Sequence, residues 1–136
     1  MSVPFTGGCR CGAVRYECSA EPVQVAHCHC RDCQYAAGGG YSTIAIVPRD
    51  SLQVTGEVKG YEDTGESGNI VRRQFCPTCG TPVFSEPEIA PGIKVIKAAT
   101  LDDPSWLVPQ AHVYVGHAQP WGVPSDDLPR FEKMPG

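Results

Sequence analysis

No stretch of this chain stays apolar over the ~20 residues that a membrane-spanning helix requires, so no helical membrane anchor is expected. The opening residues, Met1-Ser2-Val3-Pro4-Phe5-Thr6-Gly7-Gly8, lack the basic start and apolar run of a secretory leader, and a cytoplasmic protein is expected. A reducing compartment of that kind keeps thiols free for metal ions. Excess positive charge is missing as well. Eleven Lys and Arg stand against fifteen Asp and Glu, a formal charge of −4, which argues against a nucleic-acid partner. No repeat, linker or second domain divides the 136 residues. A single domain is expected over 1–136, with its core at about 7–121 and an extended tail over 122–136.

Long helical patterns are also scarce. Fifteen Gly and thirteen Pro punctuate the chain and favour short strands joined by turns. Ala13–Cys18 alternates, with Val14, Tyr16 and Cys18 on one face of a half-buried strand. Further strands are read at 23–27, 41–47, 52–56, 58–61, 69–75, 81–85, 93–100 and 109–115, with a polar turn at 64–68. Only Asp32–Ala37, closed by Gly38-Gly39-Gly40, suits a short helix. The class is therefore all-β with at most one short helix. Trp121 and Phe131 are expected to anchor a tail that drapes over the surface from Gly116 onward.

What the chain does have is clustered cysteine. Seven of eight cysteines fall in Cys9-Arg10-Cys11, in Cys28-His29-Cys30-Arg31-Asp32-Cys33 and in Cys76-Pro77-Thr78-Cys79. Only Cys18 stands alone, and its place on a strand suits a small buried apolar side chain. Disulfide frameworks belong to shorter secreted domains with dispersed cysteines, whereas C-x-C and C-x-x-C groups suit chelation. A knuckle supplies two thiolates from one bend, so two pairs and a triple suggest one closed four-thiolate zinc site and one three-thiolate site with an open position. With both ions bound the net charge becomes roughly −7.

Spacing alone leaves the partition open. Cys9, Cys11, Cys76 and Cys79 make one complete set, and Cys28, Cys30 and Cys33 make a set of three. The alternative is that His29, His27 or His112 completes a second closed site. An open position beside three anionic sulfurs favours holding a thiol over splitting water, since three thiolates leave zinc a weaker Lewis acid than three imidazoles would. Arg10 and Arg31 either screen the thiolates or meet an acidic substrate, Gln34 is placed to orient a ligand, and Arg72-Arg73 reads as a solvated strand face.

Gly8-Cys9-x-Cys11-Gly12-Ala13-Val14, Cys28-His29-Cys30-x-x-Cys33, Phe75-Cys76-x-x-Cys79-Gly80-Thr81 and the late His112-Val113-Tyr114-Val115 with Pro120-Trp121 resemble the glutathione-dependent formaldehyde-activating enzyme family, which also contains centromere protein V. The resemblance runs from about Gly8 to Phe131. It implies a β-tent fold of two antiparallel sheets pinned by two zinc ions. It implies a structural ion on Cys9, Cys11, Cys76 and Cys79 and a catalytic one on Cys28, Cys30 and Cys33. The implied activity is that of a carbon–sulfur lyase interconverting S-(hydroxymethyl)glutathione with glutathione and formaldehyde, so that the partner is a small-molecule thiol. The competing readings are a non-enzymatic thiol carrier using the same open ion and a structural zinc protein with a macromolecular partner. A methionine sulfoxide reductase, a related β-tent class, needs a nucleophilic cysteine outside the zinc ligands, and Cys18 alone is spare.

Overall fold

A computed structural model of the chain describes residues 3–65, 67–123 and 125–135. The expected turn at 64–68 includes Glu66, and the tail includes Pro124 and Gly136, which lie outside the described residues. Ten strands form two sheets. The smaller sheet joins β1 (Phe5–Gly8), β2 (Arg15–Cys18) and β5 (Leu52–Thr55) in the order β1-β2-β5. The larger sheet contains β3 (Gln24–Cys28), β4 (Ser42–Pro48), β6 (Lys59–Thr64), β7 (Ile70–Phe75), β8 (Pro82–Pro87), β9 (Ile93–Lys97) and β10 (Ala111–Val113). Its order is β10-β3-β4-β9-β8-β7-β6. One helix, α1 (Arg31–Ala37), follows β3. The all-β class holds, and every strand pair is antiparallel except β10 with β3.

The alternation read in β2 places Tyr16 and Cys18 inward, with Val14 fully buried just before them. They meet Val47, Val83, Phe84 and Ile96 of the larger sheet in the main core between the sheets. A Phe or Ile buried this completely contributes about 1.5–3 kcal/mol relative to exposure. Cys9 and Cys76 belong to this same core. A second, smaller cluster gathers Ala26, Cys28, Cys30, Cys33 and Val113, with Ile44, Tyr114 and Phe131 against it. The two cysteine groups therefore occupy different packing environments.

Four details differ from the sequence reading. Gly7-Gly8 is part of a strand, not only an approach to the first knuckle: β1 pairs with β2 from Phe5↔Cys18 to Gly8↔Arg15. Glycine hides the strand signal there because a Cβ on Gly7 would sit 2.3 Å from the Tyr16 hydroxyl. β9 stops at Lys97 instead of running to Thr100, because the Thr100 hydroxyl donates to the Lys97 carbonyl at 2.7 Å and turns the chain. β10 is only three residues long, since Tyr114 takes a left-handed conformation with φ 57°. Finally, Trp121 is 72% exposed, whereas Phe131 packs on the smaller cluster. The tail is also bonded rather than merely draped. His112 N–H donates to the Pro129 carbonyl at 2.8 Å, and Phe131 N–H donates to the His112 carbonyl at 2.9 Å.

Candidate metal centre

The first knuckle bends where Cys9 N–H donates to the Val14 carbonyl and Gly12 N–H returns to the Cys9 carbonyl. The second begins after a register shift between Gln74 and Phe75, which turns β7 out of its ladder. Cys76 N–H then donates to the Thr81 carbonyl, and Gly80, at φ 79°, closes the bend with its N–H on the Cys76 carbonyl. Arg10 N–H reaches the Thr81 hydroxyl at 3.1 Å and ties one knuckle to the other.

The sulfurs of Cys9, Cys11, Cys76 and Cys79 all lie within 4.8 Å of one another. Two of the separations are 3.6 Å (Cys9 to Cys11) and 3.8 Å (Cys11 to Cys76). Four sulfurs around a tetrahedral zinc at about 2.3 Å stand about 3.8 Å apart, whereas a disulfide needs about 2.05 Å. Backbone N–H groups point at the sulfurs as they would at thiolates: Val14 at Cys9 (3.2 Å), Thr78 and Cys79 at Cys76 (3.3 and 3.4 Å). The Thr81 hydroxyl pulls the Cys79 thiol down to about 5. Donor chemistry and spacing both fit a four-thiolate zinc ion, as in structural sites.

Cys28 ends β3, Cys30 caps α1, and Cys33 lies in its first turn. Their three sulfurs also fall within 4.8 Å of one another, with Cys28 and Cys30 3.6 Å apart, and all three side chains are buried. Cys33 N–H donates to the Cys30 sulfur at 3.4 Å. Three thiols so close cannot all ionise without a cation among them. Hydrogen bonding from Cys28 and Cys30, aided by Lys97 and Arg73, pulls Cys33 far below the ordinary thiol range, while hydrogen bonding with Cys30 and Cys33, together with burial, pushes Cys28 up. A soft divalent ion relieves that conflict, so the residues fit a thiolate-bound metal here too.

Among the described residues no histidine joins this group. His29 turns away, its Nε2 lying 2.9 Å from His112 Nδ1, and His112 Nε2 lies 3.0 Å from both Asp126 carboxylate oxygens. With the carboxylate accepting from His112, neutral rings put the next proton on His29 Nε2 and leave its buried Nδ1 as a bare acceptor. His27 lies 2.8 Å from the Thr43 hydroxyl instead. The histidine alternative for a closed second site thus gives way to an imidazole chain running to the tail.

Several charged and polar residues are placed otherwise than the sequence suggested. Gln34 is engaged within the protein: its amide donates to the His29 and His117 carbonyls at 2.7 and 2.9 Å, and its oxygen accepts from Arg31 and Gln119. Arg31 is held there and over the Tyr35 ring, not at the thiolates. Arg72 is exposed and pairs with Glu62, but Arg73 is only 13% exposed and reaches Asp63 at 3.3 Å and Asp32 at 3.9 Å. Lys97, which the sequence reading passed over, is held beside the three cysteines with its Nζ on the Ser42 hydroxyl at 3.1 Å. Two cavities share Lys97 and Ala36 as walls. One, of about 460 Å³, opens between Arg10, Tyr41, Ser42 and Thr81, and the other, of about 210 Å³, lies against Tyr35, Tyr61 and Arg73.

Acidification is expected to destabilise this region. Burial, then the charge of His112, holds His27 and His29 below the usual 6.5. The folded protein consequently binds fewer protons than the unfolded chain just below that value. The stabilisation is present above pH 6.5 and is lost as pH falls. Calorimetric Tm should decline from pH 7 towards pH 5, with zinc content followed in the same samples to separate ion release; a Tm that holds or rises with both ions retained would refute this.

Residues 4–117 match the glutathione-dependent formaldehyde-activating enzyme family. Curated fungal proteins that carry this name provisionally are similar in sequence. One from Colletotrichum graminicola is 26% identical over 76% of this chain and 60% of its own length. Another, from Podospora anserina, is 29% identical over 76% of this chain and 54% of its own. The chain thus spans about half to three-fifths of the length of these relatives. A crystal structure of a Rhodobacter sphaeroides protein superposes with a TM-score of 0.59 at 21% identity, covering 77% of this chain and 92% of that one, which bears on the fold alone.

Proposed function

The chain belongs to the glutathione-dependent formaldehyde-activating enzyme family, and from that premise we propose a zinc-dependent carbon–sulfur lyase acting on S-(hydroxymethyl)glutathione or a related thiol adduct. Cys28, Cys30 and Cys33 are its catalytic centre, and Cys9, Cys11, Cys76 and Cys79 hold a structural zinc. Residues 1–136 make a single domain in the reducing cytoplasm, where cysteines stay out of disulfides and open to metal. One observation carries the reading: three buried sulfurs converge with no fourth ligand among the described residues, and Ser42, the register partner of Cys28, lines a cavity of about 460 Å³.

A zinc ion held by the three sulfurs would supply a Lewis-acid position that favours the ionised form of a visiting thiol. The rest falls to the chain. Phe131, Val113 and Ala26 pack against the cysteines and keep bulk water from that side. The cavity that Ser42 and Lys97 line is within the range of about 300–1,000 Å³ that small-molecule sites occupy. Arg10 lines it, offering positive charge to a carboxylate of a peptide thiol. Cys33 N–H on the Cys30 sulfur fixes the direction of one ligand lone pair and so the orientation of the whole centre.

The test is an exchange measurement by proton NMR in mixtures of formaldehyde and glutathione, on protein whose metal content has been measured. Two zinc ions per chain and exchange faster than the spontaneous rate are expected. Thiol binding without acceleration would point to a carrier, and failure to bind either would sink the reading.

A further inference from the structure

We propose that Lys97 and Ser42 form the oxyanion-binding pair of this site, receiving the negative charge that appears on a carbonyl oxygen when a thiolate adds to an aldehyde. The inference rests on the lyase reading and adds two residues to it. Ser42 is buried and is the register partner of Cys28 across β3 and β4. Lys97 ends β9, and the turn that follows holds its backbone in place through Thr100. Its ammonium donates to the Ser42 hydroxyl at 3.1 Å, which leaves two N–H groups and the serine O–H free to donate. Both residues line the larger cavity, so these donors share a space that a substrate can enter.

Lys97 stands apart from the other half-buried cations, Arg73 and Lys94. Arg73 is paired with Asp63 and Asp32, Lys94 and Arg49 with Glu86, and Arg15 with Asp102. Among the described residues no carboxylate pairs with Lys97, and the anions that act on it are the sulfurs of Cys33, Cys28 and Cys30. Three thiolates around a divalent ion carry a net −1, which one ammonium balances. That bland role leaves unexplained why the ammonium also faces the cavity together with a buried hydroxyl. A pair of donors aimed at an accessible space beside a thiol-binding centre is the arrangement that stabilises an oxygen acquiring charge.

The step balances without another reagent. The thiol gives up its proton and its sulfur lone pair forms the C–S bond. The carbonyl π pair moves to oxygen, which the ammonium and hydroxyl hold. The released proton returns through this pair to the oxygen, giving the hydroxymethyl thioether. The lyase direction is the reverse.

The experiment compares wild type with Lys97→Met and Ser42→Ala, all zinc-loaded, in the formaldehyde–glutathione exchange. Lys97→Met should lower kcat by about 10²–10³-fold with KM for glutathione nearly unchanged, the signature of a donor used only at the transition state. Ser42→Ala keeps the ammonium and should lower kcat by about tenfold. Calorimetric titration with glutathione sulfonate gives a readout independent of turnover. Its oxygens should bind about tenfold more weakly to either variant, while glutathione binding holds. Wild-type rates in both variants would overturn the proposal, as would unchanged sulfonate affinity. Loss of zinc in Lys97→Met together with a full rate in Ser42→Ala would assign Lys97 to charge balance and overturn it too. A wild type that accelerates nothing defeats the lyase reading itself, and the sulfonate titration then still judges the donor pair.

Discussion

Cys79→Ala should leave the domain unfolded at room temperature. Cys79 is exposed, so trimming it would ordinarily change stability by no more than about 0.5 kcal/mol. Any large effect therefore has to come through the metal. The four-thiolate group is joined to the main core through Cys9 and Cys76, and it holds together two knuckles far apart in sequence. A structural zinc contributes on the order of 10 kcal/mol, comparable with the whole stability of a domain, about 5–15 kcal/mol. Circular dichroism and zinc stoichiometry on the purified variant would check this. A cooperative transition near that of the wild type would show that the ion at this group is dispensable.

Cys30→Ala should have the opposite profile, with activity at the spontaneous rate and the main core intact. Cys30 belongs to the smaller cluster, whose packing partners are Ile44, Tyr114 and Phe131. Losing its cap on α1 costs about 1 kcal/mol, and one zinc ion should remain bound. The comparison is with wild type stripped of its more weakly held ion, by thermal melting and by the exchange assay. Retained acceleration would remove Cys30 from the centre. Loss of all folded signal would show that the two cysteine groups are not energetically separate.

Much of this could be read in the residues because the signals were local. Cysteine knuckles declare themselves by spacing, and β2 by its alternation from Arg15 to Cys18. What escaped depends on contacts made from far along the chain. Ile93-Lys94-Val95-Ile96-Lys97 looks like a strand with lysines on a wet face, and only the neighbouring β4 and α1 turn Lys97 into a half-buried cation. Arg73 likewise becomes covered because Asp32 approaches from α1. Asp126 sits in a stretch rich in Pro and charge, with nothing local to connect it with a histidine fourteen positions earlier. Gly7 carries no strand signal because glycine favours conformational freedom, yet here it serves close packing against Tyr16.

The tail pairing has a consequence at the margin of the larger sheet. Residues 129–133 occupy the outer backbone groups of His112 in β10 and of Tyr114 and Val115 just beyond it. At the opposite margin β6 presents Lys59, Glu62 and Asp63. Neither rim offers a clean template onto which a stranger's strand could zip, because one is already taken and the other is fenced by charge. A macromolecule seeking this protein by sheet extension would first have to peel away its own last residues.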